Sequence, residues 1–376
     1  MNDVLVELKN ITKRYGPVTA VENINLSIRR GEFLVLLGPS GSGKTTILSI
    51  LGGFTVPTEG TVLIDGKDVT QTPPAQRPTV TVFQDYALFP HMTVAQNVAF
   101  GLEMRGVGRA DRQRLVDQAL ATVGLSGYGA RRIHELSGGQ RQRVALARAI
   151  VVEPAVLLLD EPLGALDLKI RQQMQDELVR LQKTLHATFV HVTHDQEEAM
   201  SIADNVVLVN GGRIEDYGPP ERVYLRPATL FAATFMGDSN ILAGRVVSAG
   251  GGTLRVDTPI GQLALAGQAE PGSNVHISIR PEKIRVDVAS GNRPANDGAV
   301  NDSGIDSAAM GGAAVGLGEG EVTELVFQGT HRRCRLRAGP GGATDILARV
   351  PLDLDIAVGS RATLETRIGD LVLLRN

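Results

Sequence analysis

Two patterns of apolar and polar positions divide the chain. Up to about residue 236, short unbroken apolar runs stop abruptly at polar residues: Phe33-Leu34-Val35-Leu36-Leu37, residues 79–83 and Val156-Leu157-Leu158-Leu159. Such runs predict strands buried on both faces of a parallel sheet, with chemistry at their carboxyl ends. Residues 188–193 and 205–209 read as further strands of the same part. A period near 3.6 predicts helices over residues 93–105, 109–123, 141–151 and 167–185, with short ones near 219–225 and 229–235. Residues 4–8 and the alternating stretch 21–28 read as antiparallel strands, with a turn at Lys13-Arg14-Tyr15-Gly16-Pro17 between them. Residues 61–64 form another strand, closed by the Asp65-Gly66 turn signal. The expectation for this part is an α/β fold.

After Gly237-Asp238-Ser239-Asn240 the pattern changes to short alternating segments separated by glycine turns, among them 254–256, 275–279, 325–327 and 334–336. These predict a small all-β barrel or sandwich. A stretch rich in Gly, Ala, Asn, Asp and Ser, residues 289–320, lacks the apolar content to fold and reads as a flexible insertion. The expected organisation is therefore one domain over 4–236 and a second over 237–376.

Composition narrows the partners. The chain has 376 residues, enough for two cores, and 38 Lys and Arg against 41 Asp and Glu leave a formal charge of −3, which gives no basic signal for nucleic acid. Cys334 is the single cysteine, so no internal disulfide framework exists and a reducing compartment is expected. The start shows no secretory signal, and no apolar run approaches the ~18–20 residues that span a bilayer. The longest, residues 144–152, is interrupted by Arg148. If membranes matter to this protein, another chain crosses them.

The strongest chemical signal follows the first apolar run. Gly38-Pro39-Ser40-Gly41-Ser42-Gly43-Lys44-Thr45-Thr46 matches G-x-x-x-x-G-K-[ST] between a strand and a helix. A polyphosphate is wrapped by successive backbone N–H groups, so glycines are needed where a Cβ would block approach or φ is positive. The helix start points further N–H groups at the same phosphates. Lys44 supplies a point charge and the Thr45 hydroxyl a ligand for Mg²⁺.

Other polar residues gather at predicted strand ends. Asp160 can hold Mg²⁺ through its water shell, and Glu161 can orient and deprotonate a water in line with the terminal phosphate. His194 can hydrogen-bond that phosphate, and Gln84 can reach the metal or the water. His191, in the same strand as His194, reads as a satisfied core residue. Tyr15 could stack on a purine or simply pack. Leu136-Ser137-Gly138-Gly139-Gln140 opens a helix with Ser137 as N-cap, a second potential anion site.

Together, residues 38–46, Gln84, 136–140, 156–162, Ala165-Leu166-Asp167 and His194 resemble the ATP-binding subunit of ATP-binding cassette (ABC) transporters, in order and spacing, over about residues 4–235. The remainder, around Arg280-Pro281-Glu282-Lys283-Ile284, looks like the transport-associated OB-like domain appended to importer ATPases. The resemblance implies a P-loop cassette with a RecA-like core, an antiparallel β subdomain and a helical subdomain. It implies that Tyr15 stacks on adenine, that residues 38–46 bind ATP and Mg²⁺, and that Thr45, Gln84 and Asp160 serve the metal. Glu161 would be the catalytic base, His194 the switch and Gln84 the γ-phosphate sensor. Two copies would pair head to tail, residues 136–140 of one capping ATP on the other, with Asp167 linking the two sites.

The implied partners are two transmembrane permease subunits, contacted through the apolar loop 86–89, and a solute-binding protein, at the cytoplasmic face of the inner membrane. Residues 82–94 and 235–240 are similar to those of spermidine and putrescine importers; ferric-iron and sugar importers share much of this. A soluble ABC protein acting on nucleic acid would need a second cassette, a coiled-coil insertion or a basic surface. A module that binds ATP without turnover would need a lost Glu161 or a broken 137–140.

Overall fold

A computed structural model describes residues 3–164, 168–288 and 312–375. Asp167, with Ala165 and Leu166, lies outside the described residues, as do 289–311. The chain divides into two compact units, Met1–Pro220 and Glu221–Asn376. Among the described residues no helix is long and apolar enough to cross a membrane.

The first unit begins with the antiparallel pair β1 (Val4–Tyr15) and β2 (Val18–Arg29), then β3 (Phe33–Leu37) and α1 (Lys44–Gly52). It continues through β4 (Glu59–Ile64), β5 (Lys67–Asp68), β6 (Thr79–Val82), α2 (Val94–Met104), α3 (Arg109–Thr122) and α4 (Gly138–Ile150). It closes with β7 (Val156–Asp160), α5 (Leu168–Leu185), β8 (Thr188–Thr193), α6 (Gln196–Ile202), β9 (Asn205–Asn210) and β10 (Arg213–Gly218). One sheet has the order β2-β1-β4-β5 and the other β10-β9-β3-β8-β7-β6.

Strands β6, β7, β8, β3 and β9 run parallel, as the unbroken apolar runs require, and β3 and β8 are buried at every position. Their core is shared with α1 and with the inner face of β1, β2 and β4. Register places the carboxyl ends side by side: Leu37 opposite Thr193, Val192 opposite Asp160, and Leu159 opposite Val82. Whatever follows those four strands shares one edge of the sheet.

In the second unit, α7 (Pro220–Leu225) and α8 (Leu230–Phe235) precede two five-stranded sheets. The first contains β11 (Asn240–Gly250), β12 (Thr253–Thr258), β13 (Gly261–Ala266) and β14 (Asn274–Ile279). The second contains β15 (Arg285–Val288), β16 (Ala314–Phe327), β17 (Arg332–Ala338), β18 (Thr344–Val350) and β19 (Arg361–Arg367), and β20 (Val372–Leu374) returns to the first. Their orders are β13-β12-β11-β14-β20 and β15-β19-β16-β17-β18. Leu254 and Ile277 of one sheet meet Leu317, Cys334 and Leu364 of the other in a single core, the OB-like all-β domain expected.

Several expectations need correction. β1 runs through Lys13 to Tyr15, so the turn shrinks to Gly16-Pro17, because long-range pairing with β2 extends both strands. α4 starts at Gly138, not 141, because Ser137 is the N-cap and its side chain accepts from the Gln140 N–H, which puts both glycines inside the first turn. Helix α6 was not foreseen. The insertion expected to end at Gly320 gives way to β16 already at Ala314, which pairs with β19 and then β17 despite its glycines. The boundary expected near residue 236 lies at Pro220 by contacts, so α8 groups with the β-rich unit.

The reason is Arg280, which is buried. It donates to the carbonyls of Tyr224, Ala233, Gly237 and Asp238 at 2.7–3.2 Å, and its guanidinium lies 4.2 Å from the centre of the Tyr224 ring. Replacing it by Met strands those acceptors, and we expect Arg280→Met to cost the second unit about 2–4 kcal/mol. Calorimetry checks this; an unshifted transition would show that α7 and α8 are held some other way.

Candidate functional site

Residues 38–46 leave β3 and turn into α1. Gly38, Gly41 and Gly43 have φ of 158°, 76° and 107°. A Cβ on Gly43 would stand 2.8 Å from the Ala20 carbonyl oxygen, so backbone conformation and close approach by β2 both demand glycine there. The opposite end of α1 is fixed by Arg77, buried and donating to the carbonyls of Ile50 and Leu51 at 2.6 and 2.9 Å.

Lys44 is buried, and its Nζ donates to the carbonyls of Gly38 and Pro39, each at 2.8 Å. Burial pulls its pKa down, while Glu161 and Asp160 pull it back up. The hydroxyl of Thr45 faces Asp160, Oγ1 to Oδ1 3.5 Å. Burial first, and the neighbouring Glu161 second, push the Asp160 carboxyl upward from its ordinary range. The two carboxylates thus compete for whatever positive charge the site offers. The buried Ser42 Oγ has no partner among the described residues.

Glu161 carries a positive φ of 43°, its N–H donates to the Val192 carbonyl at 3.1 Å, and its Oε1 lies 3.3 Å from His194 Nδ1. That ties the end of β7 to the end of β8 through backbone and side chain together. Below them a buried set orients the β8 turn. Glu198 accepts from the Thr193 hydroxyl at 2.5 Å and lies 2.8 Å from His191 Nε2, while the Asp195 N–H donates to Thr193 Oγ1 at 3.0 Å. Burial acts to raise Glu198, but the neighbouring His191 and the hydrogen bonds outweigh it and hold the carboxyl below its ordinary range. His191 is the packed core residue expected; Glu198 was missed, although Asp195 followed by Glu197 and Glu198 is a helix-start signal.

Lys44, Thr45, Asp160, Glu161 and His194 therefore come together as expected. Gln84 follows β6 at the same edge, beside Gly164, where an added Cβ would stand 3.8 Å from Gln84 Nε2. Tyr15 is half exposed at the end of β1, with Lys13 Nζ 5.0 Å from its ring centre. Ser137 and Gln140 cap one another reciprocally: Ser137 Oγ accepts from Gln140 N–H at 3.3 Å and Ser137 N–H donates to Gln140 Oε1 at 3.0 Å. Among the described residues, no hydrogen bond or ion pair joins 136–140 to 38–46. The arrangement can bind a polyphosphate and activate a water beside it.

Comparison with known proteins agrees with this chemistry. The ABC transporter family matches residues 21–164 and the TOBE domain family residues 277–374. The "Spermidine/putrescine import ATP-binding protein PotA" of Rubrobacter xylanophilus is 46% identical over 349 residues, covering 90% of this chain and 85% of its own. The protein so named in Oleidesulfovibrio alaskensis is 50% identical over 76% of this chain and 77% of its own. Among solved structures, cbiO1 of Clostridium perfringens, part of the transporter complex cbiONQ, is 31% identical with a TM-score of 0.55, covering 59% of this chain and 91% of its own. The dimeric cassette MJ0796, in a post-hydrolysis state bound to ADP and Pi, is 33% identical with a TM-score of 0.51, covering 57% and 99%. The chain belongs to the ATP-binding proteins of ABC transporters, and is an ABC ATPase carrying a C-terminal TOBE domain.

Proposed function

We propose that this chain is the motor subunit of an importer, working as a head-to-tail homodimer at the cytoplasmic face of the inner membrane. Its partners are two permease subunits and a solute-binding protein, and its cargo is a polyamine of the spermidine and putrescine kind. The observation that carries the ATPase reading is the alignment of four strand ends, which sets Glu161 and His194 beside Lys44 and Asp160. The cargo rests on relatives 46–50% identical that are named for spermidine and putrescine import.

In this reading the glycine loop donates backbone N–H groups to the triphosphate, Lys44 exchanges its loop carbonyls for phosphate oxygens, and Tyr15 stacks on the adenine. Glu161 takes the proton of the attacking water, and His194, bonded to Glu161, fixes its direction. Gln84 senses the terminal phosphate from the end of β6. The Thr45 hydroxyl, Asp160 and Gln84 are a hard oxygen donor set that fits Mg²⁺, and the unpartnered Ser42 hydroxyl is a further polar atom awaiting a ligand. When bound, Mg²⁺ neutralises charge developing on the phosphate oxygens. Residues 136–140 of the second copy present a helix start to the nucleotide, and Asp167 links the two sites. The loop around 86–89 receives the permease.

The test is ATP hydrolysis by the chain reconstituted with its neighbouring permeases and with binding proteins loaded with polyamine, ferric iron or sugar. Polyamine should stimulate turnover. Stimulation by iron or sugar alone reassigns the cargo, and turnover indifferent to every permease points to a soluble ABC protein.

A further inference from the structure

Arg148 is the charge that interrupts the apolar run 144–152, and the ATPase chemistry does not use it. It sits in the last turn of α4, between the buried Ala147 and Ala149. Its Nη1 donates to the Ala87 carbonyl and its Nη2 to the Tyr86 carbonyl, both at 2.6 Å, and its guanidinium lies 5.7 Å from the centre of the Phe89 ring. Tyr86 and Ala87 have φ of 63° and 44°, a conformation that side chains other than glycine rarely adopt and that persists only where the surroundings impose it. A planar fork on two successive carbonyls does impose it.

Tyr86 is also held at its other end. Its hydroxyl donates to the carbonyl of Pro162, the residue after Glu161, at 3.2 Å. Burial raises the pKa of that hydroxyl against the opposing charge of Arg141, so it stays a neutral donor. Gln84 lies two residues before Tyr86 in the chain.

We propose that Tyr86 and Arg148 are positioning residues that tie the 85–89 loop both to the Glu161 end of β7 and to α4, the helix that Ser137 caps. The loop then cannot shift without moving the base, or α4, or both. This rests on the ATPase reading and adds to it a path by which a load on the loop reaches the chemistry.

The experiment uses the full chain and measures kcat and KM for ATP together with the melting temperature. Tyr86→Phe removes one hydroxyl and keeps the ring, so it carries the test even if changes at Arg148 impair folding. We expect Tyr86→Phe to lower kcat about three- to tenfold, the worth of one hydrogen bond, with KM unchanged and the melting temperature lowered by no more than the few degrees that one hydrogen bond is worth. Arg148→Lys, which offers one point donor in place of the fork, should retain more activity than Arg148→Met. The double variant Tyr86→Phe, Arg148→Lys should lose less than the product of the single losses, because both act through one loop. An unchanged kcat, a fall that only tracks melting temperature, or losses that multiply independently would each overturn the linkage. If the wild type shows no hydrolysis that Glu161→Gln abolishes, the ATPase reading fails and the linkage falls with it; wild-type turnover matched by Tyr86→Phe sinks the linkage alone.

Discussion

Glu161→Gln should lower ATP turnover by about 10²–10⁴-fold, the usual worth of a positioned general base, while leaving ATP binding intact. Gln fills the same space and keeps the hydrogen-bonding reach toward His194, but it cannot accept the proton of the attacking water. The substitution also removes a negative charge that pushes Asp160 upward, so affinity for Mg²⁺ and ATP together should hold or improve. An ATP-bound dimer should then accumulate, visible by size-exclusion chromatography with nucleotide present. Turnover at the parent rate would show that another group activates the water.

Lys44→Ala should weaken ATP binding by about 10–100-fold, the loss of a charge-assisted contact to a polyphosphate. Lys44 is poised by its surroundings: two loop carbonyls hold its Nζ, burial disfavours its charge, and the two carboxylates offset that only in part. A phosphate offers the same ammonium a full negative partner in place of two dipoles. Calorimetric titration with ATP measures the effect. Undiminished affinity would leave the phosphate-loop assignment unsupported, and a melting temperature close to the parent's separates lost binding from lost folding.

What the sequence made legible was local. The glycine loop, the Ser137 cap and the strand-end carboxylates are each set by residues within one turn or one strand of themselves, so their types and spacing announce them. What escaped depends on partners far along the chain. Arg148 reads as a flaw in an apolar helix until Tyr86 and Ala87 are placed against it. The first half of β16 reads as a polar, glycine-rich tract, yet β19 pairs with it from Ala314 onward and β17 joins on the other side from Gly320, where a Cβ would stand 3.2 Å from that of Leu336. There the neighbour chose the residue, against local propensity. The alignment of four strand ends is a property of register, which a strand's own residues do not state.

Arg280 has a practical consequence for recombining such proteins. A chimera joined after Met236 would take Tyr224 and Ala233 from one parent and their buried guanidinium from the other, so it inherits a broken or mismatched anchor unless both parents carry the arginine. A graft made at Pro220 carries the anchor and its acceptors as a single cassette of inheritance, and that is the seam along which this gene can be cut and exchanged.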